Sequence, residues 1–444
     1  MKKEKQMSFP ELAEWVSDYT LKAGATDCRV SLTKRRFIEI NYRDRKPDTL
    51  KEASTRNLNL GVYLNNRYAN QSTPDFRQSS LETFITELIE SAGIMEEDPF
   101  RSLPNPELYS GRSAVDLQLT DPGYEKLSPE DRHAIVQKAE NACLEKGGEK
   151  VISVEAGEYD EKYEEYVRTS NGFEGSSQGT VFQLGVQMYA QDEGDRRPNG
   201  YHYGIATHKN DLPAPEQVGT EAARRTFELF GAKKIQTTQL PVIIENRVVE
   251  WILGFLLNPL AGRSIQQKRS CFSDKKGEQI GSKLFTVIDD PFIPRGLGSR
   301  LYDNDGFPTK RRDLFTEGVL NDFIIDWYYS RKLECEPTSG SVSNIIIPPG
   351  ERSVESIVKD LPKCLLITEF IGGNSNSTTG DFSIGIFGKL FEKGQFKQNV
   401  AEMNMADNHL NFWKKLIEVA NDPWIYSNVR VPSLVFEGVV VSGI

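Results

Sequence analysis

Apolar and polar positions along the first half of the chain fall into a pattern that occurs twice. Ser8-Phe9-Pro10-Glu11 is a capping-box signature and opens a helix that ends near Gly24. Residues 28–33 and 37–42 alternate as strands, and "LNLGVYLNNRYANQST" follows as a hairpin. A second helix opens at Ser79, with Glu82 three residues on, and stops at Gly93. The pattern restarts at Ser128-Pro129-Glu130, with proline at the first helical position, and that helix ends near Gly147-Gly148. "VISVEAGEY" and "YEEYVRTSNG" predict strands, with Asn171-Gly172 as a turn. "TVFQLGVQMYAQ" and "GYHYGIATH" predict two more, and a helix over 215–230 closes the copy. Each copy thus reads helix, four strands, helix. Two copies are too few for a solenoid, so the pattern predicts a duplicated α+β unit.

The pattern changes after Thr237. "LPVIIE" reads as a buried strand, and "NRVVEWILGFLLNPLAG" as a helix broken at Pro259. Beyond it, short β runs (284–288, 323–328, 364–370, 382–391, 434–441) are separated by Gly and Pro, with one helix at about 407–420. The expected class is α+β: two related helix–strands–helix units followed by a β-rich C-terminal domain. The expected boundaries are 1–98, a linker at 99–127, 128–236 and 237–444.

Charge and cysteine usage narrow the function. A net charge of −10 repels a phosphate backbone, and Lys233-Lys234 and Lys310-Arg311-Arg312 are too short to offset it, so direct nucleic-acid binding is not expected. The charged N-terminus has no apolar core of signal-peptide length, and the apolar run near Trp251–Leu257 is too short to span a bilayer. Five scattered cysteines, with no C-x-x-C, fit free thiols in a reducing cytoplasm.

Candidate chemistry is sparse. His133, His202, His208 and His409 show no H-x-x-x-H spacing. Asp303, Asp305 and Gly306 look like part of a calcium loop, but Leu301 and Arg312 stand where ligands are needed, which leaves a turn. There is no G-x-S-x-G. Cys271 has basic neighbours that would favour a thiolate, against the plainer reading of an ordinary thiol. The glycine-rich stretch 372–394 lacks the G-K-[ST] of a Walker loop; "GNSNSTTG" reads either as an anion nest or as a surface loop before a strand.

Five stretches, in this order, resemble the TldD/PmbA family, whose members are often labelled modulators of DNA gyrase. They are "EEDPFRSLPNP" at 96–106, "SCFSDKKGEQIGSKLFTVIDDP" at 270–291, "YDNDGFPTKRRDLFTEGVLNDFIID" at 302–326, "TGDFSIGIFGKLFEKG" at 379–394 and "VPSLVFEGVVVSG" at 431–443. The resemblance implies two branches. TldD-type chains carry H-E-x-x-x-H on a helix and a cysteine near the C-terminus, which together hold a metal, implied to be zinc, for peptide hydrolysis. PmbA (TldE)-type chains lack both and pair with a TldD-type subunit in a complex acting on unfolded or small peptides.

This chain resembles the metal-free branch. Aligned on the glycine of "VVEWILGFLL", its motif positions hold Glu250, Trp251 and Phe255, and "DPWIYSNVRVPS" has no cysteine. A lone carboxylate does not hold a catalytic zinc, which takes about three protein ligands. The resemblance therefore implies no cofactor in this chain, with zinc in a TldD-like partner. It implies a role in peptide binding, and either that partner or self-association as a dimer. The 372–394 stretch is common to both branches. It is either scaffold or a strand edge receiving an extended peptide, with Thr379, Gly380, Asp381, Ser383 and Gly385 as candidate substrate contacts. The rival readings are a non-proteolytic regulator that binds gyrase or another protein, and an independent peptidase with an unrecognised site.

Overall fold

The computed structural model describes residues 7–443. Helix α1 (Phe9–Lys22) starts at a complete capping box: the Glu11 carboxylate accepts from Ser8 N at 2.8 Å while Ser8 Oγ accepts from Glu11 N. Then come strands β1 (Asp27–Arg43), β2 (Lys46–Leu64) and β3 (Arg67–Thr73) and helix α2 (Gln78–Gly93). The second copy holds α3 (Pro129–Gly147), β4 (Val151–Thr169), β5 (Glu174–Ala190), β6 (Asn199–Ala206) and α4 (Pro215–Phe227). Its first helix is also capped by a box, between Ser128 and Asp131.

The two related units are confirmed, but each has three strands rather than four. Runs 28–33 and 37–42 belong to the single strand β1, and "VISVEAGEY" and "YEEYVRTSNG" to the single strand β4. The apolar alternation lapses at Lys34-Arg35-Arg36 because helix cover changes there, not because the strand ends. Cys28, Val30 and Leu32 pack under α1 and α2, whereas Ile38, Ile40 and Tyr42 pack under α3 and α4. Between them the polar side chains find cross-strand acids: Arg35 pairs with Glu161 at 3.2 Å and Arg36 with Glu52 at 2.8 Å. The strands form one antiparallel sheet, ordered β3-β2-β1-β4-β5-β6, with β1 and β4 paired from Arg29–Thr169 to Arg43–Glu155. Even-numbered residues of β1 face the helices, so its odd-numbered residues lie on a helix-free face.

The C-terminal region begins with β7 (Thr238–Ile244), α5 (Asn246–Leu257) and a short helix α6 (Gly262–Gln266). It continues through β8 (Val287–Asp290), β9 (Arg312–Thr316), β10 (Val319–Leu320), α7 (Trp327–Leu333), β11 (Asn344–Ile346) and α8 (Val354–Asp360). It ends with β12 (Lys363–Ser375), β13 (Asp381–Glu392), β14 (Gln395–Asn408), α9 (His409–Phe412), β15 (Leu416–Val419), β16 (Val429–Arg430) and β17 (Leu434–Ser442). The larger sheet runs β14-β13-β12-β7-β17-β15, and β14 also pairs with β17 at Asn404–Ser442 and Met405–Val441. That pairing closes β14, β13, β12, β7 and β17 into a ring, which removes their free edges. A smaller sheet runs β10-β9-β8-β11-β16.

Two expectations change here. The helix expected at 407–420 is only α9 and one 3-10 turn, because Leu416–Val419 pairs with β17. The strand expected at 323–328 is a single bridge, after which Asp326 caps α7 by accepting from Tyr329 N at 2.7 Å. Asp303 and Asp305 form a turn: Asp303 Oδ1 accepts from the amides of Asp305 and Phe307, and Gly306 has φ +94°. No helix among the described residues is long and apolar enough to cross a membrane.

Candidate functional site

The two segments that the family resemblance aligns with the metal-ligand segments of TldD-type chains meet in space. Helix α5 receives the segment 422–433: Asn246 Nδ2 donates to Asp422 O at 2.6 Å, and Asn246 N to Ser433 Oγ at 3.0 Å. The sequence showed each segment to lack its ligands; only the fold makes them one place. Glu250 accepts a hydrogen bond from Ser427 Oγ at 2.9 Å. Trp251 is 41% exposed and sets its ring edge-on to Phe370 at 5.9 Å. Phe255 packs against the C-terminal core.

Beside them stands a feature the sequence reading missed. The Arg247 guanidinium lies over the rings of Tyr201 (5.2 Å), Trp424 (5.5 Å) and Tyr203 (5.7 Å). Burial lowers Arg247 from the usual guanidinium range, and Arg225 adds to this. His202 packs edge-on to Trp424, and burial, then Arg247 and Arg225, depress it to about 4. These residues do not fit zinc. One imidazole stands nearby, and the two guanidinium groups beside it would repel a dication. Among the described residues, no group of three His, Cys, Asp or Glu side chains could hold a metal ion.

The 372–394 stretch forms the end of β12, a loop and β13. Thr379 Oγ1 donates to Asp381 Oδ2 at 2.7 Å, and Asn408 Nδ2 donates to Asp381 Oδ1 and Thr379 O, each at 2.8 Å. These bonds hold Asp381 below its ordinary range. Gly380 adopts φ +84°, and a Cβ there would meet Asn408 Oδ1 at 3.1 Å and Cys271 Sγ at 3.2 Å. Ser383 Oγ donates to Asn404 Oδ1 at 3.1 Å. Strand β13 is paired on both sides, with β12 and with β14. A peptide therefore has no free edge to join at Ser383 or Gly385, which corrects the strand-edge mode; of the five candidate contacts, Thr379 and Asp381 are the exposed ones.

The nucleophile candidates are no better placed. Burial pushes Cys271 up to about 11, with Asp381 adding to it, so its basic sequence neighbours do not make it a thiolate. Ser375 Oγ lies 3.3 Å from His409 Nε2. Trp413 Nε1, which can only donate, lies 3.2 Å from His409 Nδ1, so the ring proton sits on Nε2. An Nε2 that already carries a proton cannot take one from Ser375.

Gly385 offers a check on the local packing. A Cβ there would meet the side chain of Ile371, 42% exposed and free to turn away, at 2.8 Å; at Gly388 it would meet the backbone oxygen of Leu366 at 2.4 Å. Gly385→Ala is expected to cost less than about 1 kcal/mol and Gly388→Ala about 1–3 kcal/mol. Paired denaturant melts check this; an equal loss in both would contradict it.

Comparison with known proteins follows the same lines. The family pattern described as the PmbA/TldA metallopeptidase C-terminal domain matches residues 237–443, and the central-domain pattern of that family matches 122–230. The chain is 28% identical over 429 residues to Metalloprotease PmbA of Escherichia coli O157:H7, covering 95% of this chain and 94% of that one. A crystal structure from Bacteroides thetaiotaomicron, described as a candidate modulator of DNA gyrase, superposes with a TM-score of 0.95 at 34% identity, covering 99% of this chain and 100% of that one. TldE from Thermococcus kodakarensis shares the fold, with a TM-score of 0.86 at 19% identity over 97% of this chain and all of that one.

Proposed function

The chain belongs to the PmbA/TldD family, and from that premise we propose that it is a non-hydrolytic member, a regulatory protein that acts by binding another protein. The supporting observation is what occupies the metal-motif positions. Glu250 is bonded to Ser427, Trp251 packs on Phe370 and Phe255 joins the core, with the Arg247 cation alongside. A site filled in this way leaves binding as the chain's contribution.

The nature of the partner divides the reading. In one form the partner is gyrase, named in the description of the solved Bacteroides thetaiotaomicron relative. In the other it is a zinc-bearing TldD-like subunit, and this chain holds unfolded or small peptides for hydrolysis by that subunit; self-association as a dimer would supply no metal-bearing partner. The second form draws on the likeness to Metalloprotease PmbA over nearly the whole chain. There, Thr379, Gly380, Asp381, Ser383 and Gly385 enter as candidate contacts, made through side chains and loop backbone rather than a strand edge.

The test is a reconstitution. The purified chain, dialysed and then supplied with zinc, is expected to retain no stoichiometric metal and to leave an unfolded peptide substrate intact. Size-exclusion chromatography with gyrase, and separately with a TldD-like subunit, then identifies the partner; hydrolysis arising only in the second mixture selects the peptidase form. Zinc-dependent hydrolysis by the chain alone would overturn the proposal.

A further inference from the structure

A cavity of about 1060 Å³ lies between the helix-free face of the large sheet and the segment 295–304 of the C-terminal region. Four arginines line it: Arg29 and Arg35 from β1, and Arg295 and Arg300 from the opposite wall. Two of them are committed. Arg35 pairs with Glu161, and Arg295 with Asp211, each at 3.2 Å.

The other two are not. The Arg29 side chain makes no hydrogen bond or ion pair with another described residue, and Asp305 acts on it through charge alone. Arg300 Nη2 donates to Ser341 O at 2.9 Å, but its Nε is buried without a partner. The acids that bear on Arg300 are Asp289 and Asp303. Asp289 is bound to Arg312 at 3.0 Å and accepts from Ser343 N at 2.7 Å. Asp303 uses Oδ1 for the amides of its own turn, and its Oδ2 is buried without a partner. Burial accordingly lowers Arg300 from the usual guanidinium range.

A guanidinium withdrawn from water with part of its donor set unpaired costs free energy, and each such group in a native structure calls for an explanation. A planar fork of donors matches a carboxylate and a phosphate alike, and the acids that also line the cavity, Asp116, Asp121, Glu161, Glu164, Glu165 and Asp303, favour the singly charged carboxylate. The cavity is of the size that holds small ligands. Thr33, Ser177, Asn304 and Asn428 add neutral hydrogen-bonding groups to its walls. We propose that this inter-domain cavity is a binding site for a small ligand ending in a carboxylate, with Arg300 and Arg29 as its anchors. The site is separate from Glu250, Trp251 and Phe255, so it stands whether or not the protein-binding reading holds.

The carboxylate can come from a free dicarboxylic acid or from the C-terminus of a polypeptide, and three probes distinguish these in calorimetric titrations of the full chain: succinate, triglycine and triglycinamide. Binding of triglycine without succinate identifies a polypeptide C-terminus; binding of succinate without triglycine identifies a free acid; either supports the site. Triglycinamide, which lacks the anion, is expected to bind about ten- to a hundredfold more weakly than triglycine, and Arg300→Gln to weaken the bound acid by a similar factor. Arg300 also holds Ser341, so Arg29→Gln, on the sheet wall, serves as a second variant and is expected to weaken binding without loss of fold. The proposal is overturned if no probe binds up to about 10 mM, if triglycinamide binds as tightly as triglycine, or if folded Arg29→Gln and Arg300→Gln proteins keep full affinity.

Discussion

Replacing Arg132 with methionine lowers the stability of the protein by about 3–5 kcal/mol, the cost of leaving a buried charge uncompensated. Arg132 on α3 is 3% exposed and Asp160, in the middle of β4, is 0% exposed. The guanidinium donates to both Asp160 oxygens through Nε and Nη2, and through Nη1 to Leu127 O at 2.5 Å. Without it, two neighbouring buried carboxyls, Asp160 and Glu158, share a site in which no guanidinium is bonded to them and Lys209 acts only through charge. A urea melt of Arg132→Met checks the loss; a change below about 1 kcal/mol would show that the pair is solvated.

The same cluster carries a pH dependence. Burial, and then the Asp160 charge, push Glu158 well above the ordinary carboxylate range. In this window the folded chain holds a proton that the unfolded chain releases. The stability contributed by Glu158 is therefore complete below the ordinary carboxylate pKa and is lost as pH rises toward the raised value. Glu158→Gln keeps the shape and removes the titration. Its melting temperature is expected to gain on the native protein steadily from about pH 5 to about pH 9. A constant difference across that range would contradict the assignment.

Trp413→Ala is the second large effect, a loss of about 3–5 kcal/mol. Trp413 is fully buried, stacked on Phe285 at 4.5 Å and edge-on to Phe412 and Phe436. It also fixes the imidazole of His409, whose Nε2 faces Ser375 at the root of the 376–380 loop. Trp413→Phe separates the two contributions. It keeps an aromatic ring in the core but leaves His409 Nδ1 without its donor, for a smaller loss of about 1–3 kcal/mol. Thermal melts of both variants decide it, and equal losses would mean that the hydrogen bond adds nothing beyond ring volume.

What the sequence determined by itself is what neighbouring residues specify. The capping boxes at Ser8 and Ser128 form as their spacing requires, because an N-cap needs only residues three positions apart. Helix α5 runs to Leu257 and gives way to a 3-10 turn at Asn258–Leu260, because Pro259 has no amide to extend it. The duplication was legible from its repeated order of elements, whereas the positions Glu250, Trp251 and Phe255 were singled out by the family resemblance alone. The tertiary structure decided the rest. Lys34-Arg35-Arg36 looked like a break, yet β1 passes through it because acids on β2 and β4 wait across the strand. The open edge imagined at Gly385 is closed by β12 and β14. Segment 422–433 reaches α5 from more than a hundred and fifty residues away, with Ser427 on Glu250. The buried Arg132 pair, the box around Arg247 and the cavity beside Arg300 likewise join remote segments. A short window of sequence carries hydrogen-bond and dihedral preferences, whereas which strand or acid lies opposite is set by long-range burial and loop closure, which no local pattern contains.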